Sequence, residues 1–380
     1  LLESALANRR ALLGDDHLDT LAAVQRLAQL YEDQGRLDDA ERLLDDALDR
    51  AERVDGPDGR ATINLRAQLA GVYDDQGRLD EAEAAHTAAV AAAREHLGAE
   101  DHDTLSMVSD LAAHYNETGR MDEAESLMVE ILRIRRERLG PDHPETLRCI
   151  NNLALIYQFQ GRYDPAEELF LEVVDAQTRV LGPEHQETLL ARNNLVTLRV
   201  LQGRFDDAEA ICSEILEVQR ERLGADHPDV LRSRMNLSVV YQNQGRLDDA
   251  RTQLLEVLDR YRAILGDDHP ETMMAASNVA INYMFEGDLD ESEARYRELV
   301  ERSTRVLGPD HPDTLIAVEN LGNVRYRQGD LDGSEALVRQ VMEARNRVLG
   351  PEHPASLRTR GNLSVVLKNK GDLDAAQVLA

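Results

Sequence analysis

Gly140-Pro141-Asp142-His143-Pro144-Glu145-Thr146-Leu147 opens a stretch that runs through Asn151-Asn152-Leu153 to Tyr157, passes Gly161-Arg162-Tyr163-Asp164 and closes at Val180-Leu181. Gly182 then starts it again. The glycine recurs at Gly14, Gly56, Gly98, Gly140, Gly182, Gly224, Gly266, Gly308 and Gly350, 42 residues apart without a slip. A second series, from Gly35 to Gly371, keeps the same step. A fixed period of this length outranks every other local signal. It marks an array in which each copy buries its apolar face only against its neighbours. The expected organisation is one array over 1–380: a partial repeat at 1–14, eight repeats over 15–350 and a partial repeat at 351–380. LLESALANRRALL at the start aligns with LLDDALDRAERVD at 43–55, and the chain stops inside a second helix at Ala380. These ends predict a piece of a longer protein.

Each unit reads as two helices. Leu147, Ile150, Leu153, Ala154 and Tyr157 fall on one face at helical spacing. Pro144 suits a first helical turn, where its missing N–H costs nothing. Gly161 suits the left-handed position after a last turn. The spacing predicts a second helix starting at Asp164, with Glu167 completing a capping box. Ala166, Leu169, Phe170, Val173, Val180 and Leu181 form its buried stripe. The same pair recurs as Asp38/Glu41, Asp80/Glu83, Asp122/Glu125, Asp206/Glu209, Asp290/Glu293 and Asp332/Glu335. Two departures stand out. Asp55 and Gly59 replace the usual leucine and loop histidine, which predicts a soft junction over 54–61. Arg199, Arg325 and Leu367 interrupt the tyrosine series, and a buried arginine must be paired.

At 42% hydrophobic and 4% aromatic residues, with no tryptophan, the chain has the Leu, Val, Ile and Ala core that packed helices favour. A formal net charge of −29 argues against nucleic acid and against anionic membranes. Part of that charge belongs to acidic residues in first helical turns, where the macrodipole favours them. No apolar run approaches a membrane span. Cys149 and Cys212 occupy different repeat positions and suggest no disulfide framework, as in a reducing, cytoplasmic compartment. Only Lys368 and Lys370 are lysines among 43 basic residues, a bias expected of a G+C-rich bacterial genome.

Leu153, Ala154, Tyr157, Gly161 and Ala166 stand at the spacing of the tetratricopeptide repeat signature. With a 42-residue period, LGPDHPETL between units and NNLALIYQFQGRYDPAEELF within one, the array resembles the kinesin light chain type of that family. The resemblance implies an all-α, right-handed superhelical solenoid of helix-turn-helix repeats, whose first helices line a concave groove that holds an extended peptide. Carried onto this chain, the groove position is Asn152, Asn194, Asn236, Asn278, Asn320 and Asn362. The first three units carry Arg26, Gln68 and Asp110 there. An asparagine amide both donates and accepts, so it can bond an extended backbone without reading its side chains. It can equally bond the neighbouring helix and stabilise stacking, and recurrence does not separate the two. Arg148, Arg232 and Arg358, four residues earlier, could hold a carboxylate, with Leu155, Ile281, Met284 and Phe285 nearby.

Seven histidines share a register in the loops: His17, His143, His185, His227, His269, His311 and His353. Helices packed roughly 8–10 Å apart keep equivalent loops too far apart to share one metal, so local backbone bonding is the expectation. No phosphate-binding loop, HExxH, GxSxG, CxxC or GxGxxG occurs, and no cofactor is expected. Acidic pairs in every unit lack the singularity of a catalytic dyad. The expected function is therefore a non-catalytic scaffold for a protein or extended peptide. The alternative is a sensor or autoinhibitory arm of a larger signal-transduction NTPase whose catalytic module, or further repeats, lies outside this chain.

Overall fold

The computed structural model describes residues 2–351 and 353–379. Leu1, Glu352 and Ala380, and with them the two outermost positions of the expected array, lie outside the described residues. Nineteen helices and no strands occur among the described residues. α1 (Leu2–Leu13) belongs to the first, partial repeat. First helices are then α2 (Leu18–Asp33), α4 (Arg60–Asp75), α6 (His102–Glu117), α8 (Pro144–Phe159), α10 (Gln186–Leu201), α12 (Pro228–Asn243), α14 (Pro270–Glu286), α16 (Pro312–Gln328) and α18 (Pro354–Lys370). Second helices are α3 (Leu37–Val54), α5 (Leu79–His96), α7 (Met121–Leu139), α9 (Tyr163–Leu181), α11 (Phe205–Leu223), α13 (Leu247–Leu265), α15 (Leu289–Leu307), α17 (Leu331–Val348) and α19 (Leu373–Leu379).

Contacts divide the chain into two units, Leu1–Ile156 with Val348–Pro354, and Tyr157–Arg347 with Ala355–Ala380. In the first, each helix from α2 to α7 packs on the next, and α4 also touches α2 and α6. In the second, the same sequential packing runs from α9 to α16, and α12 touches α14. First helices thus lie side by side within each unit, as an all-α repeat solenoid requires.

Glycines end the helices in the left-handed region, for example Gly161 at φ 73 and Gly140 at φ 90. A buried threonine hydroxyl ties the following loop down: Thr20, Thr62, Thr188 and Thr272 donate to the carbonyls of Gly14, Gly56, Gly182 and Gly266 at 2.7–2.8 Å. The loop histidines are helix caps. Nδ1 of His17, His143, His185, His227, His269 and His311 accepts the N–H two residues on, at 3.1–3.2 Å. Asp101 does the same for Asp103 at 2.9 Å. Over 54–61, where that histidine is missing, the Asp55 carboxylate accepts Ala61 N–H at 2.8 Å. Gly59 makes this possible, since a Cβ there would lie 2.2 Å from the Asp55 carboxyl carbon. This junction therefore carries a substitute cap.

The expected capping box at the second helices is not formed. α9 is preceded by Arg162 as its cap residue, without a side-chain bond, and Asp164 sits inside the first turn. The glutamates of these pairs instead bind the next repeat. Glu41 accepts from Gln76 Nε2 at 2.7 Å and from Arg78 at 2.6 Å, and Glu209 accepts from Gln244 and Arg246 at 2.8 and 2.9 Å. The arginine also lies over a tyrosine ring, 3.9–4.2 Å from the centroid, in Arg36/Tyr31, Arg78/Tyr73, Arg120/Tyr115, Arg162/Tyr157 and Arg246/Tyr241. Where the arginine gives way to aspartate, a true cap appears: Asp288 accepts Glu291 N–H at 3.2 Å and Asp330 accepts Gly333 N–H at 2.9 Å. Arg199, in the tyrosine slot, is buried and ion-paired with Glu167. Its hydrogen bond, joined by one from Gln202, holds the Glu167 carboxyl down to about 2.

Candidate functional site

The exposed face of the first helices is built from three register positions. The first holds Arg148, Leu190, Arg232, Met274, Ile316 and Arg358, all exposed. Seven residues on, Val239 and Val365 are exposed; eleven on, Phe159, Leu201 and Phe285 are. Offsets of four, seven and eleven fall on one helical stripe. Leu190, Met274 and Ile316 are 47%, 43% and 44% exposed, well above what a stacking residue would leave in water. Two hollows open between successive first helices of the second unit. One of about 290 Å³ is bordered by Leu190, Asn193, Arg232 and Asn236. The other, about 390 Å³, is bordered by Met273, Met274, Ser277 and Ile316.

The asparagines lie four residues along the same stripe, and several amides are used between repeats. Asn236 Nδ2 donates to Asn193 Oδ1 at 3.4 Å, Asn278 Nδ2 to Met235 Sδ at 3.7 Å and Asn362 Nδ2 to Glu319 Oε1 at 2.7 Å. Asn320 bonds the Tyr296 phenol. Asn152 and Asn194 are half-buried. Gln68, in the same slot, donates to the Gln25 carbonyl at 2.9 Å. Stacking therefore engages part of the series, and Asn236 is exposed. Arg148 and Arg232 bond Glu145 and Asp229 three residues earlier, both at 2.6 Å, so a ligand carboxylate must compete for them. Arg358 is exposed. Leu190 and Ile316 carry no motif; only alignment of the repeats against one another singles them out.

The first unit presents different chemistry. A basin of about 520 Å³ along α4 and α6 is lined by Glu32, Asp75, Asp103, Asp110 and Glu117 among others, with no arginine or lysine in its wall. Burial pushes the Glu32 carboxyl up. Burial and then the charges of Asp74 and Asp75 do the same for Glu117. On its floor Asp74 (α4), His86 (α5) and His114 (α6) converge. His86 Nε2 lies 2.8 Å from Asp74 Oδ2, and His114 Nδ1 lies 2.6 Å from Asp74 Oδ1. Burial would raise the Asp74 carboxyl, but the bonds from His114 and His86 outweigh it and hold it low. The register of the loop histidines does not lead to this cluster. The available signal was a departure from register: His86 and His114 stand in slots that are otherwise mostly apolar. Both cysteines are buried, which pushes their thiols up to about 11 for Cys149 and about 12 for Cys212 and leaves them unreactive.

The sequence profile described as tetratricopeptide repeat matches residues 20–95, 103–179, 150–206, 187–263, 234–283, 271–340 and 315–380. The chain belongs to the tetratricopeptide repeat family. No curated protein matches it. Solved structures similar to it include the apo form of RapI, at 16% identity and a TM-score of 0.51, covering 75% of this chain and 98% of that one. Another is a set of nearly identical repeats from a kinesin light chain homologue of Podosopora anserina, at 24% identity and a TM-score of 0.46, covering 53% and 95%. A third is BtubC (BKLC) from P. vanneervenii, at 24% identity and a TM-score of 0.47, covering 66% and 94%. These likenesses concern the fold.

Proposed function

We propose that the chain is a non-catalytic scaffold that holds an extended protein segment along the row of its first helices. The observation that carries this reading is the exposed apolar series Leu190, Met274 and Ile316, at one register position on α10, α14 and α16. Neighbouring first helices stand roughly 8–10 Å apart. An extended chain rises about 3.3 Å per residue, so about three of its residues span one repeat. Apolar side chains about six residues apart, two repeats' worth, would reach the hollows beside Leu190 and Met274, while the asparagine amides and the exposed arginines meet its backbone and polar groups. Because the helices are already ordered, the scaffold spends little conformational entropy on binding.

A peptide-display selection on the whole chain tests this. Selected segments should carry apolar residues about six apart, with a third about three further on, and the triple variant Leu190→Asp, Met274→Asp, Ile316→Asp should weaken them at least about tenfold, or about 1.4 kcal/mol, with unchanged helicity. All three positions are exposed, so folding tolerates the change. Selected peptides that bind the variant as well as the parent would refute the assignment of this face.

A further inference from the structure

We infer that Asp74, His86 and His114 form a binding site for a zinc-class divalent cation in the first unit. The three side chains come from three consecutive helices, and their ligand atoms all lie within 4.8 Å of one another. Tetrahedral zinc holds nitrogen and oxygen ligands at about 2.0–2.2 Å, which places ligand atoms roughly 3.3–3.6 Å apart. The observed nitrogen–oxygen separations of 2.8 and 2.6 Å are a little shorter, and the rings, 5.7 Å between centroids, need only small movements to reach that geometry. Each neutral imidazole offers a lone pair to the ion once its proton resides on the other ring nitrogen. Two imidazoles and one carboxylate suit zinc and its first-row neighbours better than calcium or magnesium, which take oxygen ligands. The fourth position faces the acidic basin, where water or a ligand group completes the shell.

The competing account is a purely structural polar core, and the repeat supplies its own control. In the other complete repeats the His86 slot holds Leu44, Met128, Phe170, Cys212, Leu254, Tyr296 and Val338, all buried. The His114 slot holds Leu30, Val72, Ile156, Leu198, Val240, Val324 and Val366, with one polar exception, Asn282. Asn282 is satisfied without an imidazole: Gln242, in the Asp74 slot, donates to it at 3.0 Å, and it donates to the Glu286 carboxylate at 2.7 Å and to the Leu247 carbonyl at 3.2 Å. A polar core at this level therefore does not require imidazoles. Two nearly fully buried histidines that both replace apolar residues and meet one carboxylate are what a metal site needs and packing does not. The basin above them carries Glu32, Asp75, Asp110 and Glu117 in its wall, while its Asp103 is paired with Arg60, and this excess of carboxylates favours a cation.

The test is dialysis of the chelator-treated chain against Zn2+, with Co2+ as a spectroscopic probe. The parent should bind a single tight equivalent, rise in Tm with added Zn2+, and give the visible absorption of tetrahedral Co2+. The variant His86→Leu/His114→Val restores residues the repeat uses in these slots. It should keep its helicity and bind Zn2+ at least about 100-fold more weakly, as loss of two of three ligands requires. If that variant fails to fold, Asp74→Asn, which preserves shape, should still lower affinity at least about tenfold. A parent that binds no stoichiometric Zn2+, or variants that bind it as tightly as the parent, would overturn the assignment and leave a hydrogen-bonded core.

Discussion

Asp74, His86 and His114 stand at the same repeat positions as Gln242, Leu254 and Asn282. On α4–α6 these slots form a charged, imidazole-rich floor beneath an acidic basin. On α12–α14 they form an amide pair beside a buried leucine, and the same two first helices expose Arg232, Val239 and Met274. The helices and their glycine ends barely differ between the two. Chemistry is thus decided by what a few register positions hold, while the array around them stays constant.

Three pairs of substitutions sharpen that contrast. The largest effect is expected at the His86 slot itself. Phe170→Ala removes a fully buried ring from α9 and should cost about 3–5 kcal/mol in denaturant unfolding. His86→Leu, at the equivalent position, keeps the volume but strips the Asp74 carboxylate of one bond, and should cost about 1–2 kcal/mol in the metal-free chain. An equal loss at both sites would mean that His86 is an ordinary core residue.

Next comes the tyrosine slot. Glu167→Ala strands the buried Arg199 and should cost about 2–3 kcal/mol, whereas Glu209→Ala, facing Tyr241 and Arg246, should cost about 1 kcal/mol. The pH dependence has a definite sign. The Glu167 carboxyl is held at about 2 when folded, below its unfolded value near 4.5. Its stabilisation is therefore complete above about pH 4.5 and fades as pH falls towards 2. The parent should lose stability over that window faster than Glu167→Gln, and parallel curves would remove the pair from the account.

The smallest effect concerns helix starts. Asp288→Ala should cost about 1 kcal/mol and speed amide exchange in the first turn of α15. Asp164→Ala, inside the first turn of α9 and not its cap, should cost only a few tenths of a kcal/mol through the macrodipole. Matching losses would restore the capping-box reading.

These contrasts also show how far the residues can be read without coordinates. The helix pair was legible because Gly161, Pro144 and the apolar spacing are local signals. So was the need to pair Arg199. The capping box was misread because Asp164 and Glu167 match a local pattern, whereas Glu167 answers to Arg199, Gln202 and Arg204 from the next repeat. Partners 32, 35, 37, 40 or 43 residues away follow from the stacking geometry, which no single stretch of sequence displays. The same holds for the amide of Asn362 on Glu319 and for His114 on Asp74.

The most direct test of the binding face uses the methyl groups of the methionines. Met274 is exposed on α14, whereas Met128 and Met235 are buried. With methyl-labelled methionine, a display-selected peptide should shift the Met274 resonance strongly and leave Met128 unmoved. A peptide that binds while Met274 stays unchanged would contradict the assignment of ligand binding to the first-helix face.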